Sequence, residues 1–157
     1  MPKVGKPKIL NQEIINAFDY PKTRLAVLDF FSKYRLYSER INAILESYNC
    51  SLANDNLGVF SSQISDKTST NAIKIAEYKK CLDDFEISFK KLKLRMTDDE
   101  KKIFDLSILS SHSDEEVAER LSLDKSNIYS RKKSCFIKTA LFYSVEVMKE
   151  EILWRYF

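Results

Sequence analysis

The residues best equipped for chemistry lie between positions 125 and 138. Lys125, Arg131, Lys132, Lys133 and Lys138 supply positive charge there, with no acid among them. Ser126, Asn127, Tyr129 and Ser130 interleave hydrogen-bonding groups with that charge. Lysine, serine and tyrosine reach phosphate oxygens, asparagine pairs with adenine, and arginine pairs with guanine. A helix carrying only positive charge repels itself in isolation, so a polyanion is its natural partner. The preceding stretch inverts the sign. Between 97 and 120, Asp98, Asp99, Glu100, Asp105, Asp114, Glu115, Glu116 and Glu119 are set against only Lys101, Lys102 and Arg120.

Other chemistries lack their parts. The 157 residues contain two glycines, Gly5 and Gly58, and three prolines, Pro2, Pro7 and Pro21. Average usage would give roughly 11 glycines and 8 prolines. The glycine-rich phosphate loops and the nucleophile elbow are therefore missing. Cys50, Cys81 and Cys135 are far apart and form no CxxC, which reads as reduced thiols rather than a disulfide framework or zinc site. The lone His112 stands in a polar stretch and reads as a solvated loop residue. No paired catalytic carboxylates stand in a recognisable setting. The expectation is a non-enzyme with no catalytic residue, cofactor or metal. No apolar run approaches the ~20 residues of a membrane span, so no membrane partner is expected. The net charge of +3 is too small to diagnose a partner alone.

The elements that must position the cationic segment are helices. Scarce glycine and proline disfavour the tight turns of a sandwich or barrel. The fold expected is all-α: a long N-terminal helical hairpin followed by a C-terminal helix-turn-helix module. Residues 1–20 form a basic flexible arm and a short helix over about 10–18. Residues 21–95 form the helical N-terminal region, with a loop near 49–70 and a short docking element at Val59-Phe60. Its first helical pattern, 22–48, has the apolar line Leu25, Leu28, Phe31 or Leu36, Ile41, Ile44 and Leu45. Its second, 71–94, has Ile73, Ala76, Tyr78, Leu82, Phe85, Phe89 and Leu92. Pro21 suits the first turn of a helix capped by Asp19 or Tyr20.

Residues 96–157 form the helix-turn-helix module with an apolar tail. Thr97-Asp98-Asp99-Glu100 and Ser113-Asp114-Glu115-Glu116 are two capping boxes, each opening a short helix. The motif then reads as a helix over 114–121, a turn at 122–124 and a second helix from Lys125 to about Tyr143. Val117, Ala118, Leu121, Leu123, Ile128 and Cys135 face inward. Phe104, Phe136, Phe142 and Trp154 read as core or interface. The tail 144–157 can continue as a helix, and its Ile152, Leu153, Trp154, Tyr156 and Phe157 call for cover, by the N-terminal helices or a second copy.

The run Asp114-Glu115-Glu116-Val117-Ala118-Glu119-Arg120-Leu121-Ser122-Leu123-Asp124, followed by Ile128-Tyr129-Ser130-Arg131-Lys132-Lys133, resembles the region-4-type helix-turn-helix of bacterial sigma factors. More closely, it is similar to phage late-gene transcriptional regulators of the ArpU/RinA type. Ala72-Ile73-Lys74-Ile75-Ala76-Glu77-Tyr78-Lys79, led in by Ser65-Asp66, resembles that family's middle helix. Tyr34-Arg35-Leu36-Tyr37 with Arg40-Ile41 resembles its N-terminal one. The similarity covers about 20–147. Ser122 departs from the family's usual glycine, Asp124 from a common serine, and the apolar tail to Phe157 from its usual ending.

The resemblance implies a sequence-specific activator of late packaging and lysis genes in a phage or prophage, acting in the cytoplasm of a bacterial host. Its partners would be double-stranded DNA, host RNA polymerase and a second copy of the chain. DNA-binding residues would be Lys125, Ser126, Asn127, Tyr129, Ser130, Arg131, Lys132, Lys133 and Lys138. The alternative is a small-terminase-like DNA-packaging subunit, or a structural adaptor, that carries the same motif.

Overall fold

Short-range signals set most helix boundaries. The computed structural model describes residues 5–53 and 61–152, with side-chain surroundings for 5–47 and 69–152. The helices are α1 (Gln12–Asn16), α2 (Tyr20–Ala53), α3 (Ser61–Lys93), α4 (Asp98–Ile103), α5 (Asp114–Leu121) and α6 (Lys125–Tyr143). A π-helix, Phe104–Leu109, continues α4. Among the described residues there is no strand, only an isolated bridge between Phe18 and Met148, so the chain is all-α.

Both capping boxes form. Glu100 N donates to Thr97 Oγ1 (3.3 Å) and Thr97 N to Glu100 Oε1 (3.2 Å). Glu116 N donates to Ser113 Oγ (3.3 Å) and Ser113 N to Glu116 Oε2 (3.0 Å). Each box satisfies amides that the first helical turn leaves without partners. Asp19 caps α2 by accepting from Lys22 N at 3.2 Å, and Pro21 sits in the first turn, where its missing N–H costs nothing.

The chain divides into two compact units, one made of 1–31 with 89–157 and the other of 32–88. The first holds an aromatic core. Phe31 is fully buried, with ring centroids 5.6 Å from Phe89, 5.7 Å from Phe104 and 5.3 Å from Tyr143. Phe136 is buried as expected, and Phe142 is half-buried under Arg95. The second unit is an antiparallel pair of helical stretches. Tyr34 meets Phe85 at 5.7 Å and Tyr37 meets Tyr78 at 4.8 Å, so position rises on α2 as it falls on α3.

Several expectations are corrected. The loop expected over 49–70 is corrected at both ends, because α2 runs to Ala53 and α3 starts at Ser61, while 54–60 lie outside the described residues. The polar residues of 61–70 include no glycine or proline, so nothing there forbids a helix. Val59-Phe60 and the tail residues Leu153, Trp154, Tyr156 and Phe157 lie outside the described residues. On α2 the buried residues are Thr23, Val27, Phe31 and Ile41; Phe31 and Ile41 belong to the expected apolar line, whereas its Leu25 is 64% exposed. Leu36, Leu45 and Ile73 are exposed as well.

The tail does not continue α6. Ser144 is left-handed (φ 56, ψ 43) and ends it, with Val145 N donating to Ala140 O at 2.9 Å. The next residues run extended against the α1–α2 corner. Asp19 N donates to Val147 O (2.8 Å), Val147 N to Thr23 Oγ1 (3.1 Å) and Lys149 N to Ala17 O (3.1 Å). These bonds reward leaving the helix, which periodicity does not register. The basic arm is also tied down at its end. Leu10 N donates to Ser134 Oγ (2.9 Å), and Lys8 O accepts from Lys138 Nζ (2.6 Å).

Candidate nucleic-acid interface

α5 and α6 are joined by three residues. The turn begins at Ser122, left-handed at φ 52 and ψ 41, with Ser122 N donating to Glu119 O (3.3 Å) and Leu123 N to Ala118 O (3.2 Å). This Schellman arrangement satisfies the last carbonyls of α5. It needs positive φ, which explains why glycine was the residue expected there. Val117 on α5 and Ile128 on α6 are buried and pin the two helices together; Ala118, Leu121 and Leu123 are half-buried.

Ile128 is the only inward residue of the first six in α6. Lys125, Ser126, Asn127, Tyr129 and Ser130 are all exposed. Tyr129 is 53% exposed. Ser130 Oγ donates back to Asn127 O at 3.2 Å. Five of the nine anticipated residues thus share one polar, outward surface at the start of a helix. Beside it, Asp114 and Glu115 of α5 line an open groove of about 470 Å³ with Lys125 and Tyr129. A carboxylate there can accept from the amino group of cytosine.

The remaining cations have different roles. Lys132 is buried and donates to Asp114, with its ammonium 5.7 Å from the Phe136 ring. Lys138 gives its three protons to Glu100 Oε1 (2.8 Å), Arg95 O (2.9 Å) and Lys8 O (2.6 Å). Arg131 Nη1 lies 3.0 Å from Asp99 Oδ2, near enough for attraction although not aligned for a hydrogen bond. Lys125 lies 3.8 Å from Glu115, with both side chains 82% exposed. An exposed pair of that kind contributes about 0–1 kcal/mol.

The acidic and basic blocks of the sequence therefore face each other. The self-repulsion expected of α6 is relieved from within by α4 and α5, and Lys132 and Lys138 are removed from the outward surface. The reason is spatial: partners 18 to 38 positions away cannot be read from charge order. Among the described residues, Lys133 is the one α6 cation with no carboxylate partner. It lies 4.4 Å from the Tyr129 ring centroid and 5.4 Å from that of Tyr20. Burial pushes the Tyr20 phenol well up from its ordinary value, with Arg24 opposing.

Glu100 is the residue the sequence reading undervalued. It completes a capping box, pairs with Lys138 and accepts from Ser134 Oγ at 3.0 Å, all with no solvent exposure. A glutamate in a capping box three residues ahead of an apolar run was the available signal. Cys135 packs against it, and burial, reinforced by Glu100, raises its thiol well above the usual range. His112 is not merely solvated. Its Nδ1 lies 3.1 Å from Glu116 Oε2. The Ser113 amide, followed by His112, holds Glu116 below the ordinary carboxylate range.

Among the described residues no group of three His, Cys, Asp or Glu could hold a metal, and no helix is long and apolar enough to cross a membrane. Comparison with protein-family models, with curated proteins and with solved structures finds no match.

Proposed function

We propose that the chain is a sequence-specific binder of double-stranded DNA that regulates transcription, with α6 as the reading helix. The observation that carries this is the outward surface Lys125, Ser126, Asn127, Tyr129 and Ser130, set on buried Ile128 and presented by a three-residue turn from α5. In helix-turn-helix proteins the first residues of the second helix enter the major groove. Asn127 is suited to adenine, Lys125 to guanine or phosphate, and the hydroxyls to phosphate oxygens. The resemblance to phage regulators of the ArpU/RinA type narrows the reading to activation of late genes, with host RNA polymerase as the second partner.

Selection of duplexes from a random pool by the full chain tests it. A recurring sequence class is expected, and Asn127→Ala should weaken that class about 5- to 150-fold, the ~1–3 kcal/mol of one base contact, while leaving unrelated duplexes unaffected. Recovery of no sequence class would sink the reading. A large closed ring in light scattering would instead favour a DNA-packaging subunit.

A further inference from the structure

A second cavity lies on the same unit and shares no lining residue with the α5–α6 groove. It holds about 310 Å³ and is lined by Asn16, Asp19, Tyr20 and Pro21 of the α1–α2 corner, by Lys133 of α6 and by Lys149 of the extended tail. Three separate stretches of chain bring two lysines to one opening. Neither lysine has a carboxylate partner among the described residues, unlike the other basic residues of α6. Asp19 is already occupied, accepting from Lys22 N at 3.2 Å with Lys22 Nζ 3.9 Å from its other oxygen.

The Lys133 ammonium is held near the Tyr20 and Tyr129 rings, which lowers the entropic cost of its gripping a ligand. Lys149 has its backbone fixed on Ala17 O at 3.1 Å, and its exposed side chain is free to turn toward the opening. An anion small enough to meet both lysines, with Asn16 as a further donor, fits this arrangement.

We propose that this cavity binds a single phosphate group, supplied by the backbone of the nucleic acid that α6 reads. The assignment of the source rests on the function proposed above; the oxyanion chemistry does not. Tyr129 links the two places, because it belongs to the outward surface of α6 and also covers Lys133. The phosphate grip then lies on Lys133 and Lys149, not on Lys132 or Lys138, and it fixes the register of α6 on the duplex.

Salt dependence provides the test. Each phosphate neutralised contributes about 0.9 to the slope of log affinity against log salt. One shared phosphate predicts that the double variant Lys133→Gln/Lys149→Gln lowers the slope by about 0.9, with each single variant lowering it less, because the remaining lysine still meets the same phosphate. Two separate contacts would lower it by about 1.8 in the double variant, and that result, or an unchanged slope, overturns the proposal. Lys149 is exposed, so its variant should melt like the parent chain even if Lys133→Gln does not. Titration with inorganic phosphate, followed by the Asn16 side-chain amide resonances, separates the two sources. A shift lost in Lys149→Gln supports the site even if no duplex binds, and the failure then belongs to the DNA reading. No shift together with an unchanged slope eliminates the site itself.

Discussion

In the unit made of 1–31 and 89–157, sixteen apolar side chains are buried among the described residues; in the unit 32–88, Ile41 alone is. Yet both units draw on the same two helices, α2 and α3. What changes is the source of stability. In the first unit, burial contributes roughly 1.5–3 kcal/mol for each large apolar side chain. In the second, half-exposed aromatic pairs and cations do the holding. Tyr37 stacks near Tyr78, Arg40 donates to Tyr78 Oη at 3.2 Å, and Lys33 sits 5.5 Å from the Tyr37 ring. Such contacts are worth about 0.5–1.5 kcal/mol each. A helical pattern therefore says where a helix forms, and not how firmly it is held.

The sharpest way to break this contrast is a matched pair of truncations. Phe31→Ala should cost about 3–5 kcal/mol, while Ile73→Ala, 59% exposed, should stay within about 0.5 kcal/mol. Urea unfolding of both variants measures the difference, and equal losses would remove the distinction. Nearly as large is the effect of Lys138→Met, which strands the buried Glu100 carboxylate and should cost about 3–5 kcal/mol. Adding Glu100→Gln should recover part of that loss in thermal melts. No recovery would mean that packing, rather than charge pairing, is what Lys138 provides.

Amide hydrogen exchange sharpens the comparison next. Amides near Tyr37 and Tyr78 should exchange through openings of lower free energy than those near Phe104 and Phe136. Uniform protection would show one cooperative block. A smaller gain is expected at the left-handed serines. Ser122→Gly and Ser144→Gly relieve positive φ and should each stabilise by about 0.5–1 kcal/mol, read as higher melting midpoints.

The smallest effect concerns Glu116. Its folded pKa is lowered, so its capping contribution is present above the ordinary glutamate pKa and lost as pH falls through the lower folded value. Acid titration of the Ser113 amide resonance should report this, and Glu116→Gln should flatten the response.

Much of the architecture was legible because its causes are local. Thr97, Glu100, Ser113 and Glu116 declare helix starts within four residues. The turn at 122–124 and the span of α6 follow from the apolar spacing of Val117, Leu121 and Ile128. The exposed residues of the first turns of α6 were also legible, since Ile128 fixes which side of that helix faces in. The inward line of α2 was legible only in part: Phe31 and Ile41 are buried as its apolar spacing expects, but Thr23 and Val27 are not on that line. Leu25 carries the apolar signal, but Thr23 is buried because its hydroxyl accepts from Val147 N and donates to Val147 O.

By itself, then, the sequence determined the all-α class, both capping boxes, the three-residue turn and the polar start of α6. Only the tertiary structure decided which cations remain available. Charge order placed Arg131, Lys132 and Lys138 in an unopposed basic run; folding set Asp99, Asp114 and Glu100 against them and left Lys133, with Lys149, on the lining of one cavity. The physical reason is that helix caps are closed by groups a few residues apart, whereas Coulomb pairing depends on distance in space, and that distance exists only once the helices have packed.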